Sequence, residues 1–437
     1  ETEARILLKI IKTALSPRAR LTYAGTDKFK TSCLSVNLIT PLRREDAAAN
    51  ALIPQVLRRG SAEHPDMESI SRALDELYGA RIECYLRKKG EYQCAGFYAD
   101  FIDDDFAPGG ERVLERISSL LGELLLSPRT HGGILFDEYV TGERANLIDE
   151  IRAAINDKRS YANDALLKNM CADEAYGVNV LGGEAEAKTV TAKSLTARYK
   201  QLLDTSRVEV IYCGSAEPER VELALRGALG GLPRSPAPAL AETQVLLAPP
   251  AGALRRFTER LDVTQGKLAL GFRLGETMQK PDYAAMAVFN AAFGGSVSSK
   301  LFLNVREKLS LCYYASSSIE KHKGVMLVSS GVEFANFERA YDEILAQLDA
   351  IRSGDLSDWE FLSAKRAVVT TRLTALDSPG GIEGACFDNT IAGIEYTPEE
   401  FATLAEAVTR QSVIEIANNA ILDSAYFMEG MQSSDEK

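Results

Sequence analysis

Apolar positions along the chain switch repeatedly between a period of two and a period near 3.6, and these switches outline its elements. The sharpest switch falls in Gly294–Ser318, which reads GGSVSSKLFLNVREKLSLCYYASSS. Gly294 and Gly295 permit backbone angles that other residues avoid. Ser298 or Ser299 is placed to cap a helix over Lys300–Leu309, in which Leu301, Phe302, Val305 and Leu309 recur at helical spacing. From Leu311 the period becomes two. Tyr313, Ala315, Ser317 and Ile319 should share one strand face, and Cys312, Tyr314, Ser316 and Ser318 the other. Arg306, late in the helix, and Tyr313, early in the strand, are thereby expected to converge across the turn.

The same reading carried along the chain predicts strands near Arg20–Ala24 and Lys30–Thr40, a helix over Arg44–Leu57 and a second over Met67–Tyr78. A long hairpin about Gly90 follows, then helix Gly110–Leu126, a helical region over Leu135–Met170, strand Val208–Tyr212 and helix Glu217–Leu229. Residues 230–252 are rich in proline, alanine and glycine and read as a semi-extended linker. Beyond it the order repeats: KLALGFRLGE at 267–276 aligns with CLSVNLITPL at 33–42, and helix Asp282–Phe293 matches Arg44–Leu57. A second hairpin at 311–333, helices Asn336–Ile351 and Trp359–Leu376, and a final strand in AYFMEG at 425–430 complete the repeat. The expected architecture is α+β: two homologous domains, 1–229 and 253–437, each an antiparallel sheet with helices packed on it, forming a clamshell around a central cleft.

Composition narrows the function. The 437 residues include 46% hydrophobic and 26% charged positions, as in ordinary globular chains. A net charge of −12, without a basic stripe, argues against a general nucleic-acid surface. No apolar run approaches the ~20 residues that span a bilayer. The opening ETEARILLKIIKTALSPRAR is broken by Lys9 and Lys12 and lacks the pattern of a signal peptide. Seven cysteines, none in a CxxC pair, favour reduced thiols and a cytoplasmic protein; Cys84 and Cys94, on neighbouring strands, are the two placed to face each other, with free buried thiols the expected state. The histidines, His64, His131 and His322, are scattered and form no ligand-spaced pair.

The stretch around Arg306 resembles the C-terminal half of the insulinase/pitrilysin family of zinc peptidases. It has the glycine–serine turn, the SxLF-like SKLF, VREK, and a tyrosine seven residues after the arginine. The resemblance implies a two-domain fold around a cleft, with Arg306 and Tyr313 contacting the backbone of a bound peptide. Ser310 departs from the pattern, which usually has glycine there. In the family's active members a first-domain helix carries HxxEH, whose histidines bind zinc while the glutamate activates water. VLRRGS at 56–61 has the shape of the stretch that follows this motif, which places the motif on Ala51, Leu52, Ile53, Pro54 and Gln55. Ala51 and Gln55 stand where the histidines belong, and Pro54 stands where the general base belongs. Glu150, with Glu143 two turns earlier, best matches the family's third ligand. No metal is expected in this chain.

The resemblance implies a non-catalytic subunit of a heterodimeric zinc metallopeptidase, whose HxxEH-bearing partner would supply zinc and the general base. Peptide or small-protein substrates would be gripped by Arg306 and Tyr313; a homodimer could replace the natural pair in the isolated chain. The alternative is a structural or assembly scaffold derived from the same fold, with no role in proteolysis. A third reading, a self-sufficient peptidase with an unfamiliar metal site, is disfavoured by the scattered histidines. GGSVSSK lacks the GK[ST] ending of a phosphate loop. His64 is expected to serve local structure, and Asp103–Asp105 to form a solvated turn.

Overall fold

The computed structural model describes residues 8–250 and 252–431; the first seven residues of the opening stretch, Ala251 of the connecting stretch and the last six residues lie outside it. The first half runs β1 (Lys9–Ala14), β2 (Ala19–Gly25), β3 (Thr31–Pro41), α1 (Arg44–Arg58), α2 (Met67–Asp75), β4 (Arg81–Lys89), β5 (Tyr92–Ile102) and α3 (Val113–Leu126). A short pair, β6 (Thr130–His131) and β7 (Ile134–Leu135), precedes α4 (Asp137–Ala153), α5 (Lys158–Met170), α6 (Glu184–Thr189), α7 (Ala192–Thr205), β8 (Arg207–Gly214) and α8 (Pro218–Ala228). The second half runs β9 (Arg255–Leu261), β10 (Gly266–Arg273), α9 (Tyr283–Phe293) and a π-helix at Leu301–Lys308. It continues through β11 (Cys312–Glu320), β12 (Val325–Val332), α10 (Phe337–Arg352), α11 (Asp358–Thr374), α12 (Pro379–Ala392), α13 (Pro398–Ala407), α14 (Arg410–Asn419) and β13 (Ile421–Gly430).

Among the described residues, the larger sheets have the orders β1-β2-β8-β3-β5-β4 and β9-β13-β10-β12-β11. Apart from the added β1, they are the same sheet. In each, the outer pair is parallel (β2 with β8, β9 with β13), and every other pairing is antiparallel. The duplicated element order thus extends to strand pairing, with one parallel pair in each sheet that the hairpin pattern had not predicted. β1 and β9 were also missed. KIIKTA and RRFTERL are short and studded with charge, as edge strands that resist aggregation tend to be.

The chain divides into two compact units, and neither is contiguous. The first holds the chain through Arg152 with Val178–Glu242 and Ala375–Ile391; the second holds Ala153–Gly177, Thr243–Thr374 and the chain from Ala392. Each half therefore lends one helix to the other unit. In the first unit Leu34, Val36 and Leu38 of β3 pack under α1, α3, α7 and α8. On the opposite face, Cys33 and Ile39, with Ile211 and Cys213 of β8, are covered by Ile382, Cys386 and Phe387 of α12. The second unit repeats this arrangement. Leu268, Leu270 and Phe272 lie under α9, α10, α13 and α14, while Ala269, Val325, Leu327 and Tyr426 meet Ala162, Leu166 and Met170 of α5.

The helical region expected over Leu135–Met170 is accordingly broken at 154–157. There Asp157 turns its side chain to the N–H groups of Arg159 and Ser160 and starts α5 afresh. Polar contacts seat the exchanged helices. Glu383 of α12, 1% exposed, accepts from Ser35 Oγ at 2.6 Å and from both terminal nitrogens of Arg87 at 3.1 and 2.9 Å.

Two local expectations are corrected. Cys84 faces Phe97 and Cys94 faces Arg87, so the two thiols are not opposite each other; all seven cysteines are free, in line with the reduced thiols expected. Asp103 is buried rather than solvated, accepting from Ser32 Oγ at 2.9 Å and Ser215 Oγ at 2.7 Å. Asp104 caps the N-terminus of α3 through Val113 N–H at 3.0 Å.

Candidate functional site

The residues aligned with the metal motif sit on α1. Ala51 and Pro54 are buried in its inner face and Gln55 is exposed. Pro54 lies in the helix interior, where it has no N–H to return to the Asn50 carbonyl. A methyl group and a pyrrolidine ring offer no lone pair to a metal and no site for a proton, so this donor set does not fit zinc. The acids on α4 do not supply the missing ligands. Glu143 is nine-tenths buried, but its carboxylate accepts from Arg59 Nη1 at 3.0 Å and Asn146 Nδ2 at 3.0 Å. Glu150, one turn before the end of α4, is exposed. His64 serves local structure as expected: its Nδ1 lies 3.0 Å from Glu123 Oε1, and Ser61 Oγ donates to the same carboxylate. Among the described residues, no group of three or more His, Cys, Asp and Glu side chains converges to hold a metal ion.

The Arg306–Tyr313 stretch is irregular at three successive points. Arg306 stands in the last turn of the π-helix, a wide helix found mostly in short runs and often at functional sites. Ser299 Oγ accepts from Phe302 N–H at 3.3 Å, so one of the two serines does cap this segment. Ser310 then takes a left-handed φ of +49°. This explains why glycine suits the position, since a side chain there costs about 1–2 kcal/mol. Ser310→Gly is expected to raise stability by up to about 1 kcal/mol, the relief being partly offset by a freer unfolded chain. Ser310→Val should lower it. Denaturant unfolding of the two variants checks this, and a loss in the glycine variant would mean that the serine side chain makes a stabilising contact.

The third irregularity is Tyr313 itself. Cys312 pairs with Val332 and Tyr314 with Gly331, leaving Tyr313 as the extra residue of a β-bulge. The bulge overturns the expected alternation: Cys312 joins Ala315 and Ile319 on the helix-covered face, while Tyr313 is 65% exposed. Tyr314 and Ser316 take the α5 side, where Arg159 meets both. β11 ends its sheet, so Tyr313 stands on an edge strand. Arg306 and Tyr313 flank the same turn but are not bonded to each other among the described residues. The Arg306 guanidinium lies 4.6 Å from the Phe302 ring centroid and its Nε is 3.4 Å from Glu307. Both side chains are open to solvent, and neither is consumed by a buried structural contact.

Comparison with known proteins supplies the family. A pattern described as the Peptidase M16 inactive domain matches residues 189–368. The chain is 32% identical over 416 residues to a Bacillus subtilis (strain 168) protein described as probable inactive metalloprotease YmfF, covering 94% of this chain and 95% of that one. A conserved protein from Enterococcus faecalis V583 has a crystal structure similar to this one at a TM-score of 0.88 and 27% identity, covering 98% of this chain and all of that one. A peptidase M16 inactive domain from Pseudomonas fluorescens shares the fold at a TM-score of 0.79 and 17% identity, over 98% of this chain and 100% of its own. The relative with the inactive name spans nearly the whole chain, and α1 carries alanine, proline and glutamine where metal chemistry needs histidines and an acid. The chain belongs to the M16, or insulinase/pitrilysin, family of peptidases, among its members without catalytic metal chemistry of their own.

Proposed function

We propose that this chain is the non-catalytic subunit of a heterodimeric zinc metallopeptidase, whose partner carries HxxEH and supplies the zinc and the general base. The observation that carries the reading is the edge strand β11 with its bulged, solvent-facing Tyr313, seven residues after an Arg306 held in a π-helix. Backbone irregularities are costly and persist where the surrounding structure holds them for a purpose. An extended peptide would pair with the free N–H and C=O groups of β11 as an added strand. Arg306 and Tyr313 would then donate to its carbonyl oxygens and steady the scissile region for the partner's water. The unpaired thiols suit a reducing, cytoplasmic setting, and no helix among the described residues is long and apolar enough to cross a membrane.

The test is turnover in the assembled complex. Arg306→Ala or Tyr313→Phe is expected to lower it by roughly 10²-fold, the scale of losing one positioned donor, while sedimentation shows the complex intact. Unchanged turnover in both variants would remove the role and leave a scaffold.

A further inference from the structure

On the face of the second sheet that α5 covers, cations are paired with buried acids at one end and not at the other. β10 presents Lys267, Ala269, Gly271 and Arg273 to this face in alternation. At the Arg273 end, Arg273, Arg255 and Lys323 share the buried carboxylates of Glu174 and Asp423. At the other end, Lys267 lines up with Gly331 of β12, and Gly331 with Tyr314 of β11. A Cβ on Gly331 would lie 2.6 Å from the Tyr314 ring, so only glycine leaves room for the ring there.

Arg159, in the first turn of α5, sets its guanidinium 4.3 Å from the Tyr314 ring centroid and donates to Ser316 Oγ at 2.8 Å. Lys267 Nζ is 6.0 Å from the same centroid. Neither cation has an ion-pair partner among the described residues. Lys267 donates to the Gln265 carboxamide oxygen at 2.5 Å, and the nearby Asp157 carboxylate is occupied by the start of α5. The Tyr314 hydroxyl is buried without a hydrogen-bond partner. Burial alone holds the Lys267 ammonium below its usual range, with no acid opposing it. Arg159 is exposed beside Asp157, whereas Lys267 is partly removed from water with no acid paired to it, and such a cation is costly to keep.

We propose that Arg159, Lys267 and Tyr314 form a carboxylate-binding site beside β11, which takes a carboxylate of the bound peptide, either its free C-terminus or an acidic side chain. The proposal rests on the peptide-binding reading of β11 and adds to it a preference for charge. A guanidinium fork matches a carboxylate in two parallel hydrogen bonds. The lysine adds a point charge, and the idle hydroxyl adds a third donor.

The experiment uses the full chain and three fluorescent peptides of one sequence: a free C-terminal acid, its amide, and the amide with one internal glutamate. Anisotropy should give at least one acidic form about tenfold tighter binding than the neutral amide, and which form gains identifies the source of the carboxylate. Arg159→Gln and Lys267→Gln should each erase this preference while leaving the affinity of the neutral amide unchanged. Arg306→Ala should weaken all three peptides alike, which separates failure of the site from failure of the peptide reading. Equal binding of all three peptides by the unaltered chain, or a preference that survives both substitutions, overturns the site. A second measurement needs no peptide. Sodium acetate, compared with sodium chloride at equal ionic strength, should raise the thermal midpoint of the unaltered chain but not of the doubly substituted one. No difference between the two proteins also overturns the site.

Discussion

Asp423→Ala is expected to cost about 3–5 kcal/mol of folding stability, the scale of leaving buried charge without its partner. Asp423 is the extra residue of a bulge in β13, since Gly271 pairs with Ser424 and Phe272 with Leu422. The bulge turns its fully buried carboxylate into the α5 face, where it accepts from Arg255 at 2.7 Å, Arg273 Nε at 2.9 Å and Ser424 Oγ at 2.8 Å. Removing it takes from Arg255 and Arg273 the carboxylate they share, while Glu174 still pairs Arg273 and Lys323. Burial opposes ionisation of Asp423 most strongly, yet the hydrogen bonds from Arg255, Arg273 and Ser424 together outweigh it and hold the carboxyl below its ordinary 3.8. A depressed folded pKa contributes stability that is fully present above the unfolded value and is lost as pH falls through the folded one. The gap between variant and unaltered chain should therefore be widest near neutrality and narrow below pH 3.8, where protonation begins to neutralise Asp423 in the unaltered chain too. Denaturant unfolding at several pH values checks both parts. A gap that is constant with pH would assign the loss to packing rather than charge.

Cutting the chain within 230–252 should leave neither piece able to fold alone, because each unit needs a helix from the other half. A fragment of residues 1–229 lacks α12, and with it Ile382 and Phe387, whose burial contributes about 1.5–3 kcal/mol each. It also lacks Glu383, the carboxylate that pairs Arg87, and leaves the apolar face of Cys33, Ile39, Cys94, Ile211 and Cys213 open to association. The complementary fragment loses Ala162, Leu166 and Met170 of α5 in the same way. Co-expressed as separate chains, the two pieces should assemble into a soluble pair that unfolds cooperatively. Either fragment giving a monomer with a sharp unfolding transition by itself would show the exchange to be dispensable.

The exchange also marks where sequence reading stops. Ala162, Leu166 and Met170 recur at helical spacing, so that α5 is buried could be read; which sheet buries it could not, because periodicity names a face and not its neighbour. The duplication was legible because strand order follows from hairpins and helices that alternate twice in the same sequence. Residue chemistry was legible too: alanine and proline exclude a metal from α1 whatever the fold. Cys312 lies with Ala315 and Ile319 rather than with Tyr314, because a bulge at Tyr313 shifts the alternation by one residue without leaving a mark in the pattern. Arg159 escaped notice for a different reason. Its partners Tyr314 and Lys267 are more than a hundred residues away, and nothing local distinguishes it from a solvated arginine.

The central claim is a peptidase fold that has given up its metal and works through a partner. It is tested most directly by metal content and peptide cleavage of the purified chain, measured alone and after addition of an HxxEH-bearing M16 subunit. No bound zinc and no cleavage alone, followed by cleavage that exceeds the partner's own once the two are mixed, is the predicted result. Stoichiometric zinc with cleavage by the chain alone would contradict it, as would a partner that cleaves at full rate without this chain.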